Sequence, residues 1–303
     1  MSHANTNELI EVSNQIEEAA RSAVAVVPQI LALFPWVRSV VDVGCGVGEW
    51  LHQFSLHGVS QLLGVDAQVP PEYILQIKPS EFQQKDLSAP FTLPQHFDLA
   101  LCLQLGEHLT PQSTTELIKS LTQASDLIVF GAGIPGQANE STANERWPSY
   151  WAALFEKQGF LCFDVLRGEV WYDQRVEWWY RQNMLVYVNK QRPDLIKKLE
   201  EIEVSANKPL DLVHPLCLDI YRRSSELLQQ GRYAEASMSS VERTEIAVLR
   251  DRVYEIENSI SWRLICKINK FLDSNPSLLR LIRRCMGLAG KLLNTNISPV
   301  RSR

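Results

Sequence analysis

The segment Val40-Val41-Asp42-Val43-Gly44-Cys45-Gly46-Val47-Gly48-Glu49-Trp50 constrains this chain more than any other: an apolar strand enters a turn with glycine at every second position. Glycine has no Cβ, so the backbone at Gly44, Gly46 and Gly48 can take positive φ and come close to a ligand. A helix-compatible segment follows, and a helix start presents unpaired N–H groups and a positive dipole end. Strand, glycine turn and helix in that order predict a small-molecule cofactor site at the carboxyl edge of an α/β sheet.

Further apolar runs extend the pattern. Leu62-Leu63-Gly64-Val65-Asp66 predicts a second parallel strand, with the Asp66 carboxylate at its end where ribose hydroxyls would lie. Asp86 precedes Leu87, Phe97 to Leu103 reads as a buried strand, and Ala124 to Gly131 supplies another. Helix-compatible stretches such as Ser113 to Gln123 lie between them, so the expected fold is α/β, a doubly wound and mostly parallel sheet. A dehydrogenase fingerprint would space its last two glycines three apart, and this turn does not.

The Val-Asp-Val-Gly-Cys-Gly-Val-Gly motif resembles the first motif of the class I S-adenosylmethionine-dependent methyltransferases, over roughly residues 35 to 190. The resemblance implies a Rossmann-like methyltransferase fold and S-adenosylmethionine as cofactor. It implies that Gly44, Gly46 and Gly48 shape the methionine pocket, that Asp42 braces the loop and that Asp66 binds ribose. Asp86 and Leu87 match the pair that recognises adenine. Cys45, without a histidine beside it in sequence, reads as a small space-filling residue.

A narrower resemblance rests on Gly133-Ile134-Pro135-Gly136-Gln137, Asn144 to Trp151, Asp173 to Asn183 and Ser261-Trp262-Arg263-Leu264. These are similar to bacterial methyltransferases associated with surface-polysaccharide assembly, which implies a sugar or glycan acceptor. That group's pattern has Gly-Gly-Thr and a histidine ahead of the Asn-Glu pair, where this chain has Ala138, Asn139, Glu140, Ser141 and Thr142. The departure keeps open a second reading, a degenerate methyltransferase fold that binds a glycosyltransferase. Methylation of another small molecule is a third.

A protonated sugar hydroxyl is a poor nucleophile, so O-methyl transfer calls for a general base near the acceptor. His108 and Glu107, just after the fourth apolar strand, are the best-placed candidates, and histidine exchanges protons near neutral pH. Glu145 is a further catalytic candidate. Asn144, Trp147 and Tyr150 are candidates for holding the acceptor, because sugar rings stack on aromatic planes while polar groups hold their hydroxyls. Aromatic residues concentrate between Trp147 and Tyr187, where they serve either the acceptor or the packing of the last, antiparallel strands. His52 and His57 read as structural or solvent-facing.

The six cysteines contain no Cys-x-x-Cys pair, so neither a metal site nor a disulfide framework is expected. A reducing cytoplasm suits them. No apolar run reaches about eighteen residues, and Met1 to Glu18 lacks the basic and apolar regions of a secretory signal. The net charge of −5 divides into +8 for residues 259–303, with nine Lys or Arg against Asp273, and −13 for the rest. An acidic catalytic domain argues against nucleic-acid binding.

These features predict an N-terminal helical segment over 1–34, a methyltransferase domain over 35–190, a helical extension over 191–245 and a C-terminal region over 246–303. In the last, Ile246, Leu249, Val253, Ile256 and Ile260 follow a 3,4 spacing that makes a short heptad seam. Trp262, Phe271 and several leucines then alternate with Arg and Lys. Such a basic amphipathic appendage fits an anionic membrane surface, here the inner face, or an acidic partner such as a glycosyltransferase.

Overall fold

The computed structural model describes residues 6–137, 144–202 and 211–219. The heptad seam and basic tail of the sequence reading lie outside the described residues. Unit 1 of the chain, residues 1–253, contains all the described elements.

Seven strands form one sheet: β1 (Ser39–Val43), β2 (Gln61–Asp66), β3 (Phe82–Gln84), β4 (Leu99–Leu103), β5 (Leu127–Gly131), β6 (Phe160–Phe163) and β7 (Leu185–Asn189). Their order is β3-β2-β1-β4-β5-β7-β6, parallel from β3 to β5, with β7 antiparallel to both β5 and β6. The chain therefore has a Rossmann-like, doubly wound α/β architecture with one reversed strand, β7. The sequence explains the centre, since β1, β4 and β5 are buried along their full length and apolar almost throughout, as parallel strands covered on both faces require.

Period-2 alternation sorts these residues into two cores. Val40, Leu99, Leu101, Leu127 and Val129 face α1 (Thr6–Leu33) and α2 (Glu49–Leu56). Val41, Val43, Ala100, Cys102, Ile128 and Phe130 face α3 (Pro111–Ala124) and α4 (Pro148–Lys157). Short helices α5 (Arg167–Val170) and α6 (Trp178–Asn183) connect β6 to β7, and α7 (Pro193–Ile202) follows β7. Leu195 and Leu199 of α7 complete the first core.

Much of the aromatic concentration is packing. Trp151, Phe155 and Tyr187 surround Phe130, with ring centroids 5.2, 5.3 and 6.2 Å from it. Trp147, Trp178 and Leu218 pack on Ile134, Val213 and Cys217, where residues 211–219 return to the domain. Asp211 anchors that return by accepting from the Ser149 N–H at 3.0 Å and its hydroxyl at 2.8 Å.

The strand order reverses between β1 and β4, and a crevice at the carboxyl ends of strands opens at such a switch point. The β4 side of that crevice is held by α3, whose start is well capped. Thr110 accepts from the Ser113 N–H at 3.2 Å, and Pro111 occupies the first helical position, where no N–H is needed. Thr110→Ala should cost about 1 kcal/mol of stability, read as a lower urea midpoint with an unchanged slope.

Candidate active site

At the switch point a cavity of about 640 Å³ is lined by Asp42, Gly44, Cys45, Gly46, Val47, Glu49, Trp50 and Asp66 from the first two strand-to-helix connections. Leu103 and His108 line it from the end of β4, Tyr180 from α6, Gln15, Ile16 and Ala19 from α1, and Gln68 to Pro71 with Ile74 from the loop after β2. Helix α1 is thus a wall of the same site as the glycine turn.

The turn has the backbone that its glycines permit. Gly44, Gly46 and Gly48 have φ of 84°, 56° and 92°. A Cβ at Gly46 would find only Glu49 Oε2, at 3.7 Å, so the space above that residue is open. A Cβ at Gly48 would press on Ile77 at 3.0 Å, which identifies this glycine with the close packing of the turn at the start of α2.

Asp66 is oriented in advance of any ligand. Its Oδ2 accepts from the Gly46 N–H at 2.9 Å and its Oδ1 from the Gln68 N–H at 3.0 Å, which ties the glycine turn to the loop after β2. Each oxygen keeps a lone pair for a hydroxyl. Asp42, 3% exposed, lies beneath. Burial raises its carboxyl to about 8, and the Glu49 and Asp66 carboxylates add to the rise. Glu49 is pushed up to about 7, first by burial, against backbone hydrogen bonds from Glu49 and Gly48 that lower it. Cys45 is buried beneath the turn, and its thiol is pushed far up by burial and by the neighbouring acids, which makes it a packing residue rather than a nucleophile.

The remaining candidates divide by place. His108 is exposed at the cavity, carried there by the single 3-10 turn Gly106–His108. Glu107, 2% exposed, is not among the cavity-lining residues. Burial raises its carboxyl to about 7, backbone hydrogen bonds from Glu107 and Gly133 lower it, and Glu145 raises it. Asn144 is also buried. Its N–H donates to the Glu107 carbonyl at 3.0 Å and its Nδ2 to Thr114 Oγ1 at 3.0 Å. Glu145 accepts from the Gly136 N–H at 2.5 Å. Tyr150, on α4, lies under the Arg146 guanidinium, 5.6 Å from its ring centroid.

Asp86 and Leu87 do not line the cavity either. Asp86 is fully exposed, and its carboxyl is held below the usual range by hydrogen bonds from the Ser88 hydroxyl and N–H, at 2.6 and 2.9 Å. Leu87 is buried in the second core. Sequence reasoning assigned no role to Glu49, Trp50, Tyr180 or the α1 residues. An acid in the first turn of the helix after a glycine turn is a signal that could have found Glu49. Tyr180 carries no such signal, because only the fold brings α6 to the turn.

The model of a methyltransferase domain matches residues 15–185, more than half of the chain. The chain belongs to this methyltransferase-domain family. The cavity suits the cofactor S-adenosylmethionine, with open space over Gly46, a pre-oriented carboxylate at Asp66, and three carboxyl groups with no Lys or Arg among the described lining residues against a cationic ligand. No curated protein matches the chain's sequence. Among solved structures, this methyltransferase is similar to the SAM-bound amino pentose methyltransferase CalS10 from Micromonospora echinaspora. Identity is 14% and the TM-score 0.45, over 62% of this chain and 99% of that one. It is also similar to the SAM-bound magnesium protoporphyrin IX methyltransferase from Synechocystis, at 18% identity and a TM-score of 0.43, over 62% and 86%. DesVI from Streptomyces venezuelae is matched at 16% identity and a TM-score of 0.37, over 46% of this chain and 62% of that one, so the match spans less than two thirds of DesVI.

Among the described residues no cluster of His, Cys, Asp and Glu could hold a metal ion. No described helix is long and apolar enough to cross a membrane.

Proposed function

We propose that this methyltransferase transfers a methyl group to a hydroxyl of a sugar or glycan intermediate, with His108 as the general base. S-adenosylmethionine supplies the activated methyl group when bound. The observation that carries the reading is the meeting of His108 with Asp42, Gly46 and Asp66 in one cavity, although they come from different strand-to-helix connections.

The chain's own residues divide the work. Gly44 to Gly48 let the backbone approach the cofactor, and Asp66 accepts from its ribose hydroxyls. His108 stands at the end of β4 and takes the acceptor proton as the hydroxyl becomes a nucleophile. Glu107, behind it and bonded to the Gly133 backbone, sets the position of the turn that carries His108. Asn144 ties the segment before α4 to that turn, Glu145 ties the same segment to Gly136, and Tyr150 is the acceptor-facing aromatic we favour, being half-buried with Arg146 over its ring.

The decisive test is mass spectrometry of candidate glycans and sugar intermediates after incubation with methyl-labelled cofactor. A labelled O-methyl sugar supports the reading, and label on nitrogen or in no sugar product refutes it. His108→Asn should lower kcat by about 10²-fold or more, the usual contribution of a positioned base, with little change in cofactor affinity. An unchanged rate would remove His108 from the base role.

A further inference from the structure

Two aromatic side chains stand with the acids in the cavity, Trp50 from α2 and Tyr180 from α6. Their ring centroids are 5.2 Å apart with planes at 73°, an edge-to-face pair, and both are almost fully buried. The Tyr180 hydroxyl is in side-chain hydrogen-bonding contact with Trp50 and Trp179, and burial with the Glu49 and Asp42 carboxyls nearby keeps it protonated.

The ring is held from both ends of its short helix. Glu177, just before α6, donates its N–H to Ser22 Oγ of α1 at 3.0 Å and pairs with Arg21. After Tyr180, Gln182 and Asn183 donate to Gln137 Oε1 at 3.1 and 2.7 Å. Tyr180 is thus preset against the cavity rather than free to swing into it.

The charges of the lining are one-sided. Asp42, Glu49 and Asp66 are there, and no Lys or Arg stands among the described residues that line the cavity. Carboxylates and aromatic faces both attract a cation; a carboxylate offers a neutral thioether no such gain, and an aromatic ring holds it by the weaker sulfur–aromatic contact. The cofactor and its spent form share their adenosine and amino acid parts. They differ by one methyl group and one positive charge, because the S–C bonding pair stays on sulfur when the methyl leaves.

We propose that Tyr180 and Trp50, together with Asp42 and Glu49, read the charge on the cofactor's sulfur and so favour the sulfonium form over the neutral thioether product. Tyr180 is then a specificity residue that helps exchange spent cofactor for fresh. The proposal rests on the cavity being the S-adenosylmethionine site.

Calorimetric titration of the full-length protein at pH 8 with three ligands tests it: S-adenosylmethionine, S-adenosylhomocysteine, and sinefungin, which carries a cationic amine where the sulfonium stands. The two cationic ligands should bind about tenfold or more tightly than the thioether. In Tyr180→Leu that ratio should fall to about threefold or less, with thioether affinity little changed, while Tyr180→Phe, which keeps the ring, should retain it. Equal or tighter binding of the thioether to the wild-type protein would overturn the proposal, and so would equal weakening of all three ligands in folded Tyr180→Leu. Should Tyr180→Leu fail to fold, the wild-type ratio decides. Failure of all three to bind folded wild-type protein would refute the cofactor site itself and the proposal with it.

Discussion

Gly46→Val is expected to abolish detectable S-adenosylmethionine binding while leaving a folded protein. The φ of 56° at this position costs a β-branched residue on the order of 1–2 kcal/mol, too little to unfold a domain with two extensive cores. The added side chain would start in the open space above the turn, 3.7 Å from Glu49 Oε2, and fill part of the volume the ligand requires. Affinity should drop by about 10²-fold or more, since the ligand would lose its close approach to the backbone as well as the space. Gly46→Ala should show the same direction with a smaller loss. Calorimetry showing wild-type affinity in folded Gly46→Val would place the cofactor elsewhere.

Cofactor binding should strengthen between pH 6 and about 8 and release protons. Without ligand, Asp42 titrates near 8 and Glu49 near 7, so at neutral pH each retains a substantial share of its proton. A cationic ligand favours both ionised forms, and affinity then rises by up to about tenfold per pH unit for each proton released. The groups facing this pair are Asp66, Cys45, Cys102, Tyr180 and, across the cavity, His108. Titration in two buffers of different ionisation enthalpy counts the protons, and repetition in His108→Asn separates the imidazole. Affinity independent of pH over this range would contradict the assignment of the acids to the cofactor.

Folding of the free protein should respond with the opposite sign. A carboxyl whose folded value is raised contributes stability that is complete below its unfolded value, near 4, and is lost as pH rises through the folded value. The contributions of Asp42, Glu49 and Glu107 are therefore withdrawn between about pH 4 and 8. Bound cofactor should restore more stability at pH 8 than at pH 6.

The centre of the sheet was legible because parallel strands covered on both faces must be largely apolar, and β4 and β5 are nearly so throughout, while β1 departs only at Ser39 and Asp42. The edge was not. β3 is three residues long, Phe82-Gln83-Gln84, half-exposed and two-thirds glutamine, so no period-2 or apolar signal marks it. The glycine turn and Asp66 were legible for a similar reason, since their spacing along the chain is set by one strand, one turn and the next strand. Tyr180 reaches the turn from more than 130 residues away through α6, and Gln15 through α1, and local spacing encodes neither. Nor does a tryptophan's place in the sequence separate Trp151, which fills the core beside Phe130, from an aromatic at an acceptor site. Burial is a property of the assembled layers.

Where the cofactor binds is the most direct measurement. A crystal structure of the full-length protein with S-adenosylmethionine should show the ribose hydroxyls within hydrogen-bond reach of Asp66, the methionine portion over Gly44 and Gly46, and Tyr180 against the ligand. Ligand density in another part of the molecule, or ribose with no contact to Asp66, would contradict it.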